Sequence, residues 1–425
     1  MNAARSSQVV NSENDRSLVT ATLAVLTLVN LLNYLDRYVL SSVLPWIESD
    51  FDLADRQSGL LGSVFIIAFL LAAPVSGYLG DRTQRTRLLA AGVFLWSLAT
   101  IASGLAQDYA SLVVTRALIG IGEAGYAVVA PGLIADLYRE RHRARVLAWF
   151  YAAVPVGSAL GYMVGGTMGQ AFGWRWAFIV AGIPGLLMTI PALLLREPRR
   201  GASDESVEAG PPLRPGATLR RLLYTPAWRH VTVSLTLANF SVGGLAFWMP
   251  TFLVRTQGMR VESAAFALGL VLVAAGLIGT LMGGWLGDRA LRRWTGGHML
   301  VGAGALLGCA PFIAAMPFLP VTVQVLAFSF VALLLMAVAA GPVNAVLVGC
   351  VPAGLRSGAV ALNTFALHLF GDAASPYVLG WVSDGTGLRV ATSLTAIPVL
   401  IGGAVLAWGA LQVNRDPQGI RRYTG

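Results

Sequence analysis

Long apolar stretches, separated by shorter polar segments, follow one another along the whole chain. Each is about 20 residues or longer, which is what an α-helix needs to cross a hydrocarbon core of about 30 Å. We therefore predict an all-α membrane protein. The pattern predicts twelve membrane-spanning helices, at residues 18–44, 59–80, 88–106, 110–137, 146–169, 174–195, 229–253, 263–287, 298–318, 321–348, 357–381 and 390–412.

The longest polar segment, residues 196–228, divides these helices six and six. Its proline, glycine, serine and charged residues are typical of a flexible linker. The sequence GYLGDR at 77–82 returns as GWLGDR at 284–289, in the corresponding loop of the second half. We predict two pseudo-symmetric six-helix bundles, residues 1–195 and 229–425, and parallel repeats of this kind usually enclose a substrate cavity near the bilayer midplane.

Composition agrees with a bilayer environment, because 56% of the residues are hydrophobic and 12% are charged, against about a quarter charged in soluble domains. The net charge of +9 would suggest nucleic acid in a soluble protein. Here 23 of the 30 arginines fall in segments predicted to share one face and five in loops of the other. This bias predicts a multi-pass inner-membrane protein with both termini cytoplasmic and no nucleic-acid partner. The first 17 residues are polar and lack the charged-then-apolar pattern of a cleaved signal peptide, so we expect the first helix to stay uncleaved.

Two sequence elements resemble the major facilitator superfamily. Residues 77–85, GYLGDRTQR, are close to its loop signature G-x-L-a-D-r-x-G-R, with Gln84 where glycine is usual. Residues 116–123, RALIGIGE, match its R-x-x-x-G-x-G element. The resemblance implies the major facilitator fold and transport by alternating access.

Further strings resemble the Spinster family of lipid transporters within that superfamily. They are NYLDR at 33–37, GIGEA at 120–124, FYAAVPVGS at 150–158 and HLFGDAASP at 368–376. The resemblance implies an amphipathic anionic lipid as substrate, such as a lysophospholipid or a sphingosine-1-phosphate-like molecule. An organic-anion or drug transporter of the same superfamily is the alternative, since parts of these strings occur there too.

Ionisable side chains inside the predicted helices mark the candidate site, because such groups are costly in a membrane and usually face a cavity or a partner. At about 1.5 Å rise per residue, Asp36 and Arg116 reach similar depth, and Glu123 lies two turns beyond Arg116 on the same face. Loss of water favours a protonated carboxylate, whereas a nearby arginine favours the charged form. We interpret Asp36, Arg116 and Glu123 as a proton-coupling set with Arg116 as its switch. A permanent structural ion pair is the alternative.

Three further ionisable residues lie in the predicted spans. Arg37 either extends to the membrane interface or gates the cavity and meets an anionic headgroup. His368 and Asp372 share a helix face, where they either satisfy each other or form a polar end of the cavity. A lone histidine does not make a metal site, and we predict none.

We expect the substrate to lie among aromatic residues with a polar tip and the ionisable groups above. The predicted substrate-binding residues are Asn33, Tyr34, Arg37, Tyr126, Tyr151, Tyr162, Trp248, His368 and Asp372.

Aspartate–arginine pairs at the arginine-rich helix ends are predicted to gate the inner face by pairing with arginines or helix termini of neighbouring loops, such as 139–145. A role in setting membrane orientation would by itself explain the arginines but not the aspartates. The predicted gating residues are Asp81, Arg82, Arg85, Arg145, Asp288 and Arg289.

The sequence also limits the energy source and the chemistry. With no lysine, the chain cannot contain a Walker-type phosphate loop, so it does not drive transport with ATP by itself. No acid–base set with catalytic spacing is present, and we expect no enzyme activity. We therefore predict a monomeric secondary transporter that uses the proton as coupling ion and needs no cofactor.

Overall fold

The computed structural model describes residues 13–138, 140–198, 215–352 and 355–415, and over these ranges it is helical, with no strand. Each helix of the first half overlaps one of the first six predicted spans. The six helices are α1 (Glu13–Phe51), α2 (Asp55–Arg82), α3 (Arg85–Gly104), α4 (Tyr109–Leu137), α5 (Glu140–Phe172) and α6 (Trp174–Leu193).

The second half begins with a short helix and continues with six spans. Its helices are α7 (Pro215–Leu223), α8 (Pro226–Gln257), α9 (Val261–Leu291), α10 (Gly297–Ala315), α11 (Thr322–Gly349), α12 (Arg356–Leu367), α13 (Ser375–Thr386), α14 (Leu388–Leu394) and α15 (Ala396–Arg415). The all-α membrane fold predicted from the sequence is confirmed.

One predicted span, 357–381, is not a continuous helix. The chain passes from α12 through a π-helical turn, His368–Asp372, into α13. Eleven other stretches of the described residues are helices long and apolar enough to cross a membrane, with α14 and α15 counted together. The apolar pattern cannot show the interruption, because a π turn changes the hydrogen bonding without changing residue polarity.

Glycine allows the helices of each half to pack closely. Four glycines of α5, at 157, 161, 165 and 169, recur every fourth residue and face α1. A methyl group at Gly161 would lie 2.3 Å from the Leu35 carbonyl oxygen, so the two backbones are in direct contact there. Small residues commonly hold membrane helices together in this way, because lipid provides no hydrophobic drive for association.

The two halves meet mainly along α5 with α9 and α2 with α13. We call the face that carries Arg82, Arg85 and Arg356 the arginine-rich face, and the face that carries Asp55 and Arg255 the opposite face. About half of the predicted linker, residues 199–214, lies outside the described residues, so the domain boundaries at 195 and 229 remain predictions.

Candidate substrate cavity and its gates

A buried ion pair joins α1 to α4. Nη2 of Arg37 lies 2.6 Å from Oε2 of Glu123, and Nε of Arg37 donates to the same oxygen at 2.7 Å. The Glu123 side chain is fully buried. The Arg37 guanidinium also lies over the ring of Tyr34, 4.8 Å from its centre, and over that of Phe65 at 5.2 Å. Charge pairing and cation–π contacts together compensate its burial.

This pairing differs from the one predicted, in which Arg116 served Asp36 and Glu123. Nε of Arg116 instead approaches the Leu61 carbonyl oxygen at 3.4 Å, and its guanidinium lies over the ring of Phe65. Among the described residues, Nη1 of Arg116 is buried without a hydrogen-bond partner. Helical side chains lean toward the N-terminus of their own helix. Arg116 and Glu123 on α4 are therefore expected to lean toward the opposite face. Arg37, on the antiparallel α1, leans toward the arginine-rich face and so meets Glu123.

Asp36 is the second buried carboxylate, and it is only 1% exposed. Its Oδ2 accepts a long hydrogen bond of 3.4 Å from Thr100, and its Oδ1 has no partner in the described part of the chain. A charged carboxylate so poorly solvated is costly.

The interruption between α12 and α13 carries a polar cluster. Nδ1 of His368 lies 2.7 Å from Oδ2 of Asp372. Asn239 of α8 donates to Oδ1 of Asp372 and, at 3.3 Å, to the carbonyl oxygen of Leu367. Asn239 was not predicted, although a lone asparagine within the predicted span 229–253 was a usable signal.

Two cavities lie between the halves and share Tyr34, Arg37 and His368. The inner cavity, about 280 Å³, is also lined by Arg116 and Asp372. The larger one, about 1080 Å³, extends from the shared residues to the start of α12 on the arginine-rich face. Of the predicted substrate-binding residues, those that line the larger cavity are Asn33, Tyr34, Arg37, Tyr126, Tyr151 and His368.

Trp248 and Tyr162 line neither of these cavities. Trp248 is fully buried, and its indole donates to the Pro376 carbonyl oxygen at 3.0 Å in the contact of α8 with α13. Tyr162 donates to the Ala246 carbonyl oxygen and borders a separate apolar cavity of about 50 Å³. Both aromatic polar tips are satisfied by backbone groups in this state, and the assignment of these two residues to the substrate stays a prediction.

The opposite face is closed by ion pairs between the halves. Arg255 of α8 contacts Glu48 of α1 at 2.7 Å and Asp55 of α2 at 2.6 Å. Asp384 of α13 accepts hydrogen bonds from the backbone amides of Asp55, at 2.9 Å, and Arg56, at 3.3 Å. An acidic side chain thus satisfies the first turn of α2, where free amides and the helix dipole favour negative charge.

Backbone contact reinforces this closure. A methyl group at Gly59 of α2 would lie 2.2 Å from the Pro376 carbonyl oxygen, and one at Gly380 of α13 would lie 2.3 Å from that of Asp55. Nothing larger than hydrogen fits at either position while α2 and α13 remain in contact. The glycines and the ion pairs therefore act at the same seam.

The predicted gating residues of the arginine-rich face differ in their contacts. Arg85 contacts Asp136 at 2.6 Å and Glu197 at 2.7 Å, which ties α3 to the ends of α4 and α6 within one half. Asp288 is 79% exposed and lies 3.9 Å from His298. Asp136 and Glu197 were not predicted.

The other gating candidates also lie at the surface. Arg82 covers the ring of Tyr78, with 3.8 Å from Cζ to the ring centre, and Arg289 lies 5.8 Å from that of Trp285. Asp81 and Arg145 are exposed, and Asp81 is engaged in an interaction. Residue 139 of the predicted partner loop lies outside the described residues. The ion pairs of Arg85 stabilise the first half and do not connect it to the second.

Comparison with known proteins agrees with this architecture. The profile of the Major Facilitator Superfamily matches residues 26–371. Protein spinster homolog 1 of Bos taurus is 35% identical over 431 residues, covering 92% of this chain and 81% of the relative. Protein spinster of Drosophila melanogaster is also 35% identical, over 375 residues, covering 85% and 62%.

A solved structure shares the fold over nearly the whole chain. The crystal structure of a bacterial homologue to the human lysosomal transporter Spinster, in an inward-facing and occupied conformation, superposes with a TM-score of 0.83 at 24% identity. The alignment covers 96% of this chain and 99% of that one. By profile and by sequence identity, the chain belongs to the Spinster family of the major facilitator superfamily and is a multi-pass membrane transporter of a small molecule.

Proposed function

We propose that this chain is a proton-coupled secondary transporter that moves an amphipathic anionic lipid, such as a lysophospholipid or a sphingosine-1-phosphate-like molecule, by alternating access. Its setting is an inner membrane with both termini in the cytoplasm, and it catalyses no reaction. The observation that carries this proposal is the buried pair of Arg37 and Glu123, whose arginine lines a cavity that is open toward one face and sealed at the other.

Coupling follows from competition for Arg37. Protonation of Glu123 removes the negative partner and leaves the guanidinium available to an anionic headgroup in the cavity. Conversely, an anion that binds Arg37 displaces Glu123, which is buried and then favours its protonated form. Asp36, buried on the same helix, is the second candidate proton carrier. Arg37 thus replaces Arg116 as the switch in the coupling scheme.

The cavity walls suit a molecule with one polar end. Around the shared residues Tyr34, Arg37 and His368 the lining is polar, whereas Leu70, Ala73 and other apolar residues of α2 and α12 line much of the remainder. An alkyl chain along these walls is stabilised by up to about 0.8 kcal/mol per buried CH₂. Binding is therefore expected to strengthen with chain length.

Alternating access requires the seam on the opposite face to open while the arginine-rich face closes. With the termini in the cytoplasm, the state described here is inward-facing. The contacts that must break on the way to the outward-facing state are those of Arg255 with Glu48 and Asp55, and the packing of α2 on α13.

Transport into proteoliposomes under an imposed pH gradient tests the proposal. Glu123→Gln and Asp36→Asn mimic the protonated side chains at nearly constant volume, and each should abolish gradient-driven transport of a lysophospholipid while pH-insensitive binding persists. Glu262→Gln is the control, because Glu262 contacts the exposed Arg260 at 3.0 Å at the start of α9. Full gradient-driven flux in both neutral variants would contradict the coupling scheme and direct attention to His368 and Asp372.

Substrate class is tested separately by ligand-dependent thermal stabilisation of the purified protein. Lysophospholipids of increasing chain length should raise the unfolding temperature progressively. A response independent of chain length, together with saturable uptake of a small carboxylate, would identify an organic-anion transporter instead.

A further inference from the structure

The charges that line the larger cavity are not all compensated. Arg37 is paired with Glu123, and His368 is paired with Asp372. The third basic residue of the lining is Arg356, at the first position of α12. It is exposed and, among the described residues, forms no ion pair. The described lining of this cavity contains no carboxylate, so Arg356 leaves the mouth with a net positive charge.

Arg356 lies at the far end of the cavity from the ion pair. It precedes His368 by twelve residues, which corresponds to about 18 Å along a helix. Between these two positions α12 presents Val360, Ala361 and Phe365 to the cavity, and α2 lines the facing wall with apolar residues. The larger cavity is therefore a largely apolar passage. The guanidinium at its mouth pairs with no carboxylate of the described residues, and the guanidinium at its inner end is neutralised by Glu123.

We propose that Arg356 is a second anion site, which captures the charged headgroup of the substrate at the mouth of the cavity while the alkyl chain lies against α2 and α12. The site deepens the proposed function and depends on it. A guanidinium with no competing carboxylate can donate two parallel hydrogen bonds to a phosphate or carboxylate. The Ser357 hydroxyl, which also lines the cavity, supplies a further donor.

Position sets Arg356 apart from the arginines that only bias topology. An arginine needed for orientation can lie anywhere on the cytoplasmic side, as Arg229 does, exposed on α8 outside the cavity lining. Arg356 instead faces the passage that an anion must use to reach Arg37. The positive charge of Arg356 at the mouth raises the local concentration of anions and speeds their association, with a dependence on ionic strength.

Binding measurements on the full chain in nanodiscs of zwitterionic lipid test the site. The probes are lysophosphatidic acid, a monoacylglycerol of the same chain length, and glycerol phosphate. Arg356→Gln should weaken binding of lysophosphatidic acid about five- to tenfold, the range expected for charge-assisted hydrogen bonds reduced by solvent exposure. It should not alter monoacylglycerol binding. Arg356→Lys keeps the charge but cannot donate two parallel hydrogen bonds, so it should restore the salt dependence and only part of the affinity. Arg229→Gln should bind as the unmodified protein does.

The outcomes separate this site from the proposed function. Equal affinity and equal salt dependence for Arg356→Gln and the unmodified protein would overturn the site while leaving the proposed function intact. Arg356→Gln could also weaken glycerol phosphate binding as much as lysophosphatidic acid binding. If the alkyl chain then adds nothing to the affinity, the assignment of the site to an amphipathic substrate would be overturned. If the unmodified protein does not prefer lysophosphatidic acid to the other probes, the proposed function fails and the site fails with it.

Discussion

Replacing Gly380 with alanine should shift the protein away from the state described here. Gly380 lies on α13 in the seam that closes the opposite face, and its added methyl group would be 2.3 Å from the Asp55 carbonyl oxygen of α2. Ordinary contact begins at about 3.4 Å, so the two helices would have to separate by about 1 Å. The α13 backbone fixes the position of the methyl group, and the oxygen belongs to the α2 backbone, so neither can swing away as a flexible side chain could.

The size of the shift follows from which state bears the strain. Overpacking of this kind costs about 1–3 kcal/mol. The clash lies between the two halves and not between helices of one half. It therefore destabilises the state with a closed opposite face and leaves an opened state unaffected. A differential of about 1–3 kcal/mol changes the ratio of the two states about 5- to 150-fold.

The matched control is Gly385→Ala on the same helix, because a methyl group there would meet nothing within 4 Å. Spin labels at the exposed positions Ala54 and Thr386 report the separation of α2 and α13 on the opposite face, after replacement of the buried Cys309 and Cys350. Gly380→Ala should increase the long-distance population measured by pulsed electron paramagnetic resonance, and Gly385→Ala should not. Identical distance distributions for Gly380→Ala and its control would refute the argument.

Three further predictions concern charge. Glu123→Ala should destabilise the fold by about 3–5 kcal/mol, because Arg37 would stay buried without its partner. Arg175→Ala, which breaks a pair about 40% exposed, should cost at most about 1 kcal/mol. Denaturant unfolding compares the free energies of unfolding of the two variants. Arg255→Gln should open the opposite face by the same spin-label measurement, since it removes two ion pairs between the halves. The carboxylate of Asp108 caps the first turn of α4, and hydrogen bonds from that turn lower its pKa. Its stabilising effect should be complete above the ordinary pKa of aspartate and disappear as the pH falls through the lowered value, so the unfolding temperatures of Asp108→Ala and the unmodified protein should converge in acid.

The membrane-spanning helices could be predicted from sequence because the bilayer acts on each segment separately. A stretch of about 20 apolar residues must form its own hydrogen bonds in hydrocarbon, whatever its neighbours are. Ionisable residues such as Asp36 and Glu123 also stood out without a structure, since a charge in an apolar segment is costly wherever that segment packs. These properties are local, so a pattern along the chain contains them.

Tertiary structure decided which of those groups meet. Depth along a helix placed Arg116 near Asp36, but Glu123 pairs with Arg37, because side chains on the antiparallel α1 and α4 lean in opposite directions. The seam of Arg255 with Asp55 was not predicted, since polar residues at helix ends are ordinary until two such ends are brought together. Trp248 resembled a cavity residue by its type, yet its indole donates to a backbone carbonyl of α13. Pairings between helices depend on rotation and direction about each axis, which only the packing of the complete chain determines.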